Sequence, residues 1–566
     1  MTTPAAVLRE DVDGVPAFWT DSDTDTLTAT LSFRYGAVDL PLIRHGWLHL
    51  LEHMALHGQH SVRAPVNGHV ALQHTAFHVR GEPSDVIAFL ERLCGWLAAP
   101  RLDDLDHEVR VLRAEAGQRA KGALSRHLLW RYGARGPGLV GYDELGLHRV
   151  DPGALIGLAR HVYTRGNAVL ALSGRLPAGI RLSLPAGERI LLAQAVPCEQ
   201  PYPAGFTAPD AGVSVSGTVP RSVAAAAFAR LFERALHKQF RDRDGVGYSG
   251  WSGYEPVDGD TAVITAGIDV LPEARDRIVD RVYTLMWRLA DGQIGYGDVV
   301  DDAGSVAREM RAARPGAEAF AMARAELLGG PVQTFSDLIA EVEAVSISDV
   351  AEAAGSVRNS MLLCVDAGVK RGTSLTWLDS PPVGHTDPPH DARQFRPVDY
   401  PVTKSRLSVS DRQALLVSGQ TAVAVQRDDV AAALVWPDGA RSIIRGDGYK
   451  LHLEPTLWRN GHEAVTMLDR LTGTELQVRL PARDPADVPQ PRTTRRQRFA
   501  ARHPRLRAVP YLVAVVLLTA VVGLLLTALR MPPRLVSIGA IAAFVGTGRM
   551  ARRRIGRPIA ANRRRR

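Results

Sequence analysis

The residues from Gly46 to Leu56 constrain this chain most, because they place the pattern H-x-x-E-H inside an apolar run. Such a run favours a helix, on which positions i and i+4 lie on one face, one turn apart. On that helix His49 and His53 can offer two imidazole nitrogens to one metal ion, with Glu52 beside them. The pattern is the inverted form of the H-E-x-x-H zinc motif. We therefore expect the rest of the chain to hold, complete or anchor a metal site on this helix.

A second helix is expected to complete the site. A five-residue pattern also arises by chance, and a zinc site with two histidines needs a third protein ligand and an open position for water. Residues 105–115 favour a helix that carries Glu108 and Glu115 seven residues apart, which places both carboxylates on one face. Alone, such acids are typical of a solvated surface helix. Together with the histidine pattern they indicate a metal site.

With these two helices, the chain resembles the insulinase/pitrilysin family of zinc metallopeptidases, the inverzincins. The resemblance rests on one motif and two downstream acids: Gly46-x-x-His49-x-x-Glu52-His53-Met54, then Glu108 and Glu115. It implies that the zinc ligands are His49, His53 and Glu115. It also implies that Glu52 is the general base and that Glu108 is an acid behind the ligands.

A strand beside the cleft is part of the same resemblance. Asn67 and the stretch 73–77 are similar to the family's cleft strand, which implies that Asn67 and Phe77 bind substrate. Gly68, Val70 and Phe77 stand where the family usually has Ala, Thr and Tyr. The segment between the second histidine and Glu115 holds 61 residues, about a dozen fewer than is usual for the family. The shortening affects the cleft wall more than the metal site.

Residues 205–368 repeat the αβ pattern of residues 5–175 without the histidine motif. Within them, Arg241 and Tyr248 resemble a family turn whose Arg and Tyr reach toward the bound peptide near the metal. An arginine can hold a carbonyl or carboxylate, and a tyrosine hydroxyl can donate to a developing oxyanion. Taken alone, the turn would be interpreted as a charged surface loop. The resemblance makes Tyr248 and Arg241 candidate catalytic residues beside Glu52.

A third, smaller unit is expected at 404–475. Hairpin signals at 437–439 and 446–448 separate short strands, and 461–471 favours a closing helix. This pattern suggests a compact β-rich domain of the pleckstrin-homology type, and no site is evident in it. The fold class is therefore expected to be α+β, with two similar insulinase-type αβ lobes, this β-rich domain and a C-terminal transmembrane hairpin.

The hairpin is inferred from an uneven division of charge. Residues 491–566 contain 18 Arg and no Lys, Asp or Glu, so a net charge of +8 leaves −10, which is +8 minus +18, on the first 490 residues. The arginines flank an uncharged stretch of 22 residues, 508–529, long enough to span a bilayer, and a second apolar run of 14 residues, 535–548. The positive-inside rule then favours a hairpin at 508–548 with both ends in the cytoplasm, and a single span is the alternative. Nucleic-acid binding by these arginines is disfavoured, because they adjoin an apolar span.

The remaining signals concern location. The three cysteines are far apart and lack a C-x-x-C spacing, which is typical of packing thiols in a reducing compartment. The first 20 residues contain acidic residues and no apolar core of signal-peptide length. We expect a multi-pass protein of the cell membrane with its catalytic lobes on the cytoplasmic side.

The resemblance implies a membrane-anchored zinc metalloendopeptidase that hydrolyses peptides or small unfolded substrates in a closed chamber. Family peptidases close this chamber from four lobes, and this chain holds two. A homodimer, or a pair with a related subunit, is therefore expected. The alternative is a non-catalytic family member that acts as a scaffold or partner subunit of a processing complex. A nucleic-acid partner is not expected.

Overall fold

The computed structural model describes residues 6–492 except for 23, 58–63, 117–120, 210–211, 272–273, 315, 370–374, 379–387, 400–404 and 420, and in addition five single positions, 517, 520, 521, 524 and 525. The chain divides into two compact units, Met1–Pro489 and Gln490–Arg566. Within the described residues, no helix combines the length and apolar character needed to cross a membrane. Apart from those five positions, the hairpin predicted at 508–548 lies outside the described residues.

The first lobe is a sheet covered on one face by helices. Its strands are β1 (Val7–Val12), β2 (Val15–Thr20), β3 (Leu27–Phe33), β4 (Val66–Val70), β5 (Thr75–Gly81) and β6 (Ala168–Leu172). Its helices are α1 (Trp47–Leu56), α2 (Pro83–Ala98), α3 (Leu105–Ala116), α4 (Ala123–Tyr132) and α5 (Pro152–Val162). The strand order is β1-β2-β6-β3-β5-β4, which leaves β4 at an edge. Leu27, Leu31 and Phe33 alternate along β3, point to one face of the sheet and pack with α1, α2 and α5 in one apolar core.

The second lobe repeats this arrangement. Its strands are β7 (Ala204–Ala208), β8 (Val213–Pro220), β9 (Gly247–Pro256), β10 (Thr261–Val270), β11 (Leu362–Asp366) and β12 (Thr376–Trp377). Its helices are α6 (Val223–His237), α7 (Arg275–Ala290), α8 (Tyr296–Arg311), α9 (Ala317–Leu328), α10 (Phe335–Glu343) and α11 (Ile347–Asn359). The order β7-β11-β8-β10-β9 matches β2-β6-β3-β5-β4, and in each lobe the first of these pairs is parallel and the rest antiparallel. The prediction of two similar αβ lobes is confirmed.

Helix α9 packs on the lobe to which it does not belong in sequence. It belongs to the second lobe in sequence, yet it packs on β2 and β6 of the first lobe. The contact is apolar and involves Phe18, Val169 and Ala171 of the sheet with Ala319, Ala323 and Leu327 of the helix. These side chains lie on the sheet face opposite the main core of the first lobe, because neighbouring strand residues point to opposite faces. Both faces of this sheet are therefore partly covered.

The third domain has two small sheets and one helix. Its strands are β13 (Arg393–Phe395), β14 (Ser405–Val409), β15 (Gln413–Ser418), β16 (Thr421–Gln426), β17 (Val430–Val435), β18 (Arg441–Arg445), β19 (Lys450–Leu453) and β20 (Gln477–Arg479), and its helix is α12 (Gly461–Thr472). The sheet orders are β13-β14-β15-β16 and β19-β18-β17-β20. We call this unit the small β domain. It extends beyond the predicted bounds 404–475 on both sides, because β13 and β20 have only three residues each and carry too little alternation to be recognised in a sequence.

Candidate metal centre

The helix α1 brings the two predicted histidines close together. The ring centroids of His49 and His53 are 4.8 Å apart. The helix starts directly after Gly46, whose φ of 99° lies in the left-handed region that favours glycine. A Cβ on Gly46 would lie only 2.6 Å from the Cβ of Glu144. Gly46 therefore fixes where the helix begins and lets a distant segment approach its first turn.

Glu115 reaches the same point from α3. This helix packs against α1 and buries Val109 and Leu112 in the core of the first lobe. One nitrogen of each histidine and one carboxylate oxygen of Glu115 lie within 4.8 Å of one another. Two imidazoles and one carboxylate are a donor set that zinc uses in hydrolytic sites, with a fourth position left for water. The structure thus brings together the three residues that were predicted as ligands, and their donor atoms suit zinc.

Glu108 lies behind the second histidine, as the resemblance implied. The Nδ1–H group of His53 donates to Glu108 Oε2 at 3.2 Å, and that of His57 donates to Glu108 Oε1 at 3.0 Å. Burial by itself raises the pKa of the Glu108 carboxyl, but the hydrogen bonds from His53 and His57 outweigh burial and hold that pKa below its usual range. Glu108 therefore stays ionised and accepts both hydrogen bonds.

The sequence interpretation missed His57. It lies at the C-terminal end of α1, four residues after His53, and so continues the face of the two predicted histidines. That spacing was the signal that could have identified it. Its place in the structure is to share the Glu108 carboxylate with His53.

A carboxylate that the sequence interpretation also missed holds the first histidine. The Nδ1–H group of His49 donates to both oxygens of Glu144, at 3.0 and 3.2 Å. Glu144 lies between two 3₁₀ turns, Gly136–Gly141 and Leu145–His148, and is 95 residues away in sequence. Each histidine therefore has its Nδ1 engaged by a carboxylate, which leaves Nε2 as the nitrogen for a metal. A carboxylate–histidine pair of this kind fixes both the tautomer and the orientation of a ligand.

The predicted base is buried next to this donor set. Glu52 is 5 % exposed, and its Oε2 lies 3.9 Å from Nε2 of His49. The carboxylate leans against Gly68 of β4, where a Cβ would lie 2.4 Å from Glu52 Oε1. The glycine that replaces the family's usual alanine therefore provides the space that this carboxylate occupies.

A cleft of about 440 Å³ opens in front of these residues. His49, Glu52 and Glu144 line it together with Gly68 and His69 of the edge strand β4. Because β4 ends the sheet among the described residues, its outer backbone groups can pair with an extended peptide. The cleft thus combines one histidine of the predicted donor set, the carboxylate of Glu52 and a strand edge.

The two predicted substrate-binding residues lie in different environments. Asn67 is exposed on β4. Phe77 is fully buried, with its ring centroid 6.3 Å from that of Phe33 and 6.0 Å from that of Tyr163. The side chain of Phe77 therefore belongs to the core, and a direct contact with substrate does not fit its position. Asn67 pairs with His78 of β5, and neighbouring residues of β5 face opposite sides of the sheet, so Asn67 and Phe77 lie on opposite faces.

Arg241 and Tyr248 lie in the second lobe, away from the cleft lining. Arg241 belongs to a π-helical turn, Lys238–Arg243, and its Nη1 lies 2.9 Å from Nε2 of His237. Tyr248 is 77 % exposed near the start of the edge strand β9. Neither is among the described residues that line the cleft around His49. Within one chain, the structure therefore does not bring the predicted Arg and Tyr together with Glu52.

Comparison with solved structures places this fold. A protease from Helicobacter pylori matches with a TM-score of 0.55 and 13% identity, over 64% of this chain and 100% of that one. An M16 peptidase inactive domain from Pseudomonas fluorescens matches with a TM-score of 0.54 and 14% identity, over 65% of this chain and 100% of that one. The first half of the periplasmic protease PqqL from Escherichia coli matches with a TM-score of 0.52 and 12% identity, over 66% of this chain and 94% of that one.

No family model matches the sequence, and no curated protein matches it. The similarity therefore lies in the fold, at identities too low for conclusions about activity. Both peptidases and an inactive domain share it. The chain has an M16-type, insulinase-like fold, and the expectation of such a fold is confirmed.

Proposed function

We propose that this protein is a zinc metalloendopeptidase whose zinc ligands are His49, His53 and Glu115. The observation that carries the proposal is the environment of the donor set. Its three donors converge within 4.8 Å, and carboxylates hold the Nδ1–H groups of both histidines. A helix with chance histidines has no need of two carboxylates that orient them, so this arrangement supports a metal site.

The residues of the chain have distinct tasks in this proposal. When bound, zinc supplies Lewis-acid polarisation of the scissile carbonyl and lowers the pKa of water. The carboxylate of Glu52 accepts a proton from the attacking water and returns it to the leaving amine nitrogen. Glu144 and Glu108 keep the imidazoles in the tautomer that leaves Nε2 unprotonated. The edge of β4 holds the peptide as an added strand, which places its carbonyl beside Glu52.

The closing test combines zinc content with peptide cleavage. We expect one zinc per full-length chain and cleavage of an unstructured peptide library. Glu52→Gln should retain the zinc and lower kcat by at least about 100-fold, because the base is not a ligand. Glu91→Gln, an exposed position on α2, is the matched control and should keep both properties.

Two results would contradict the proposal. Loss of zinc in Glu52→Gln would make Glu52 a ligand rather than a base. A wild-type protein that binds zinc and cleaves no peptide would favour the alternative, a scaffold or partner subunit of a processing complex. The similarity to an inactive M16 domain gives that alternative its weight.

The proposal extends to the location of the protein. We infer that residues 508–548 anchor the protein in the cell membrane with the catalytic lobes on the cytoplasmic side. The compact unit Met1–Pro489 ends before this segment, which supports a separable anchor. Truncation after Pro489 should give a folded protein that stays in the supernatant after membranes are sedimented, whereas the full chain sediments. A full chain that remains in the supernatant would contradict the anchor.

A further inference from the structure

The small β domain packs on the segment that carries Glu144. We call residues 133–149 the Glu144 segment. Residues of this segment and of the small β domain form one shared apolar cluster, with Leu42 as a further member. From the segment it contains Ala134, Leu139, Tyr142 and Leu145, and from the small β domain Ala432, Ile444 and Val478. All of these side chains are buried, so the segment and the small β domain shield each other from water.

Hydrogen bonds also connect both ends of the Glu144 segment to the small β domain. The backbone N–H of Ala134 donates to the carbonyl oxygen of Gly446 at 2.9 Å. At the other end, Arg149 donates to the backbone carbonyls of Glu475 and Gln477. Between them, the Lys450 ammonium lies 5.5 Å from the ring centroid of Tyr142. The partners of the Glu144 segment on this side come from the turn after β18, from β19 and from the chain around β20.

The other side of the segment contacts the metal-site helix. The indole N–H of Trp47 donates to the carbonyl oxygen of Gly146 at 3.0 Å, and the N–H of Gly146 donates to His45 O at 2.9 Å. Glu144 itself accepts from His49. The segment therefore lies between the small β domain and the first turn of α1. Hydrogen bonds in 3₁₀ turns have poorer geometry than those of an α-helix, so contacts with neighbouring elements help to fix the position of the segment.

We propose that the small β domain is a positioning element of the metal centre. By holding the Glu144 segment, it keeps the carboxylate of Glu144 where it accepts from Nδ1 of His49. Ile444 is the positioning residue whose contribution can be isolated. This inference rests on the proposed zinc site. It implies that zinc affinity depends on the small β domain as well as on the first lobe.

Two neighbouring isoleucines of β18 provide a matched pair. Ile443 and Ile444 are each 1 % exposed. Successive strand residues point to opposite faces, and here Ile443 faces the core of the small β domain whereas Ile444 faces the Glu144 segment. Ile443→Ala and Ile444→Ala remove the same atoms from the same strand. Only the second removes a contact with the segment.

The experiment measures zinc affinity in the full-length protein by competition with a chelator. Glu144→Ala should weaken zinc binding about 10- to 100-fold, since it removes the partner that orients a ligand. Ile444→Ala should weaken it roughly 2- to 30-fold. Ile443→Ala should lower the melting temperature and leave zinc affinity unchanged. Ile444→Ala should cause no further loss when Glu144 is already alanine, because residues that act through one another are not additive.

Amide hydrogen exchange gives a second measurement that does not depend on zinc. Ile444→Ala should speed exchange in the Glu144 segment of the metal-free protein, and Ile443→Ala should not. Equal effects of the two isoleucine variants on zinc affinity would overturn the inference. So would a full effect of Ile444→Ala in the Glu144→Ala background. A wild-type protein that binds no zinc refutes the proposed function itself. A wild-type protein that binds zinc without cleaving peptides refutes only the activity, and the comparison of zinc affinities still tests this inference.

Discussion

At the scale of single residues, the position of the Glu52 side chain depends on the absence of a Cβ at Gly68. The carboxylate occupies the space above Gly68 that a Cβ would fill, at 2.4 Å from Oε1. Atoms cannot approach so closely, so a larger residue at position 68 has to displace the carboxylate. The three atoms nearest to that Cβ position all belong to Glu52, and none belongs to the proposed ligands His49, His53 and Glu115. The geometry of the base can therefore be changed separately from the affinity for metal.

Gly68→Ala tests this separation. We expect kcat for peptide cleavage to fall about 10- to 100-fold, because a displacement of about 1 Å at a catalytic group has an effect of that size. Zinc content should stay at one per chain. Gly95→Ala on α2 is the control, since a Cβ there meets no atom within 4 Å. If Gly68→Ala cleaves peptides at the wild-type rate, the space above Gly68 does not determine where the base acts.

At the scale of elements, α4 is the helix whose burial has a measurable consequence. His127 of α4 is fully buried, and its Nε2 lies 2.9 Å from Ser214 Oγ of β8. Burial, and to a smaller degree the charges of Arg131 and Arg126, lowers the pKa of His127 to about 3. The imidazole is therefore neutral in the folded protein at pH 7. Helix α4 belongs to the first lobe and packs against the second, so this residue lies where the lobes meet.

The pH dependence follows from the sign of that shift. The unfolded chain binds a proton at His127 near pH 6.5, and the folded chain does so only near pH 3. The contribution of His127 to the free energy of unfolding is therefore fully present above pH 6.5. It is lost as the pH falls toward 3, and the free energy of unfolding decreases by about 2 kcal/mol between pH 7 and pH 5. His127→Gln should reduce the loss, as measured by urea unfolding at the two pH values. His462→Gln, an exposed position on α12, should keep the wild-type dependence; equal behaviour of both variants would contradict this assignment.

The same scale shows why sequence reasoning reached only part of the site. His49, Glu52 and His53 lie within one helical turn, so their spacing alone predicts a common face. Glu108 and Glu115 repeat this logic on α3. Glu144 has no periodic partner, lies in a segment rich in glycine, and meets His49 only through tertiary packing. In the same way, the face on which α9 packs depends on strands about 150 and about 300 residues earlier, which no local pattern encodes.

At the scale of the whole molecule, the central observation is that the predicted catalytic residues lie in two separate places. Arg241 and Tyr248 do not line the cleft around His49 within one chain. A second copy could bring its own Arg and Tyr to this cleft, as the four-lobe chamber of the resembled family implies. Exposure of Tyr248 on an edge strand is compatible with such a contact.

Mixing two inactive variants tests the shared site. Glu52→Gln and Tyr248→Phe should each have low activity alone, and subunit exchange should create heterodimers with one intact site. We expect the mixture to recover a fraction of the wild-type rate of peptide cleavage. Glu52→Gln mixed with Glu115→Gln is the control and should recover nothing, because both substitutions affect the same site. If exchange is demonstrated and activity stays at the sum of the two variants, the site is complete within one chain.

The apolar contact of α4 with the second lobe has a consequence for how substrate enters. Bending between the lobes would expose Leu128, Val257 and Val263 to water, and each of these buried apolar side chains opposes such exposure by about 1.5 to 3 kcal/mol. A chamber made from two such chains would therefore admit a peptide by separation of the chains, with the two lobes of each chain moving together. Entry and product release would then follow an association equilibrium, and turnover per chain would vary with the concentration of the protein.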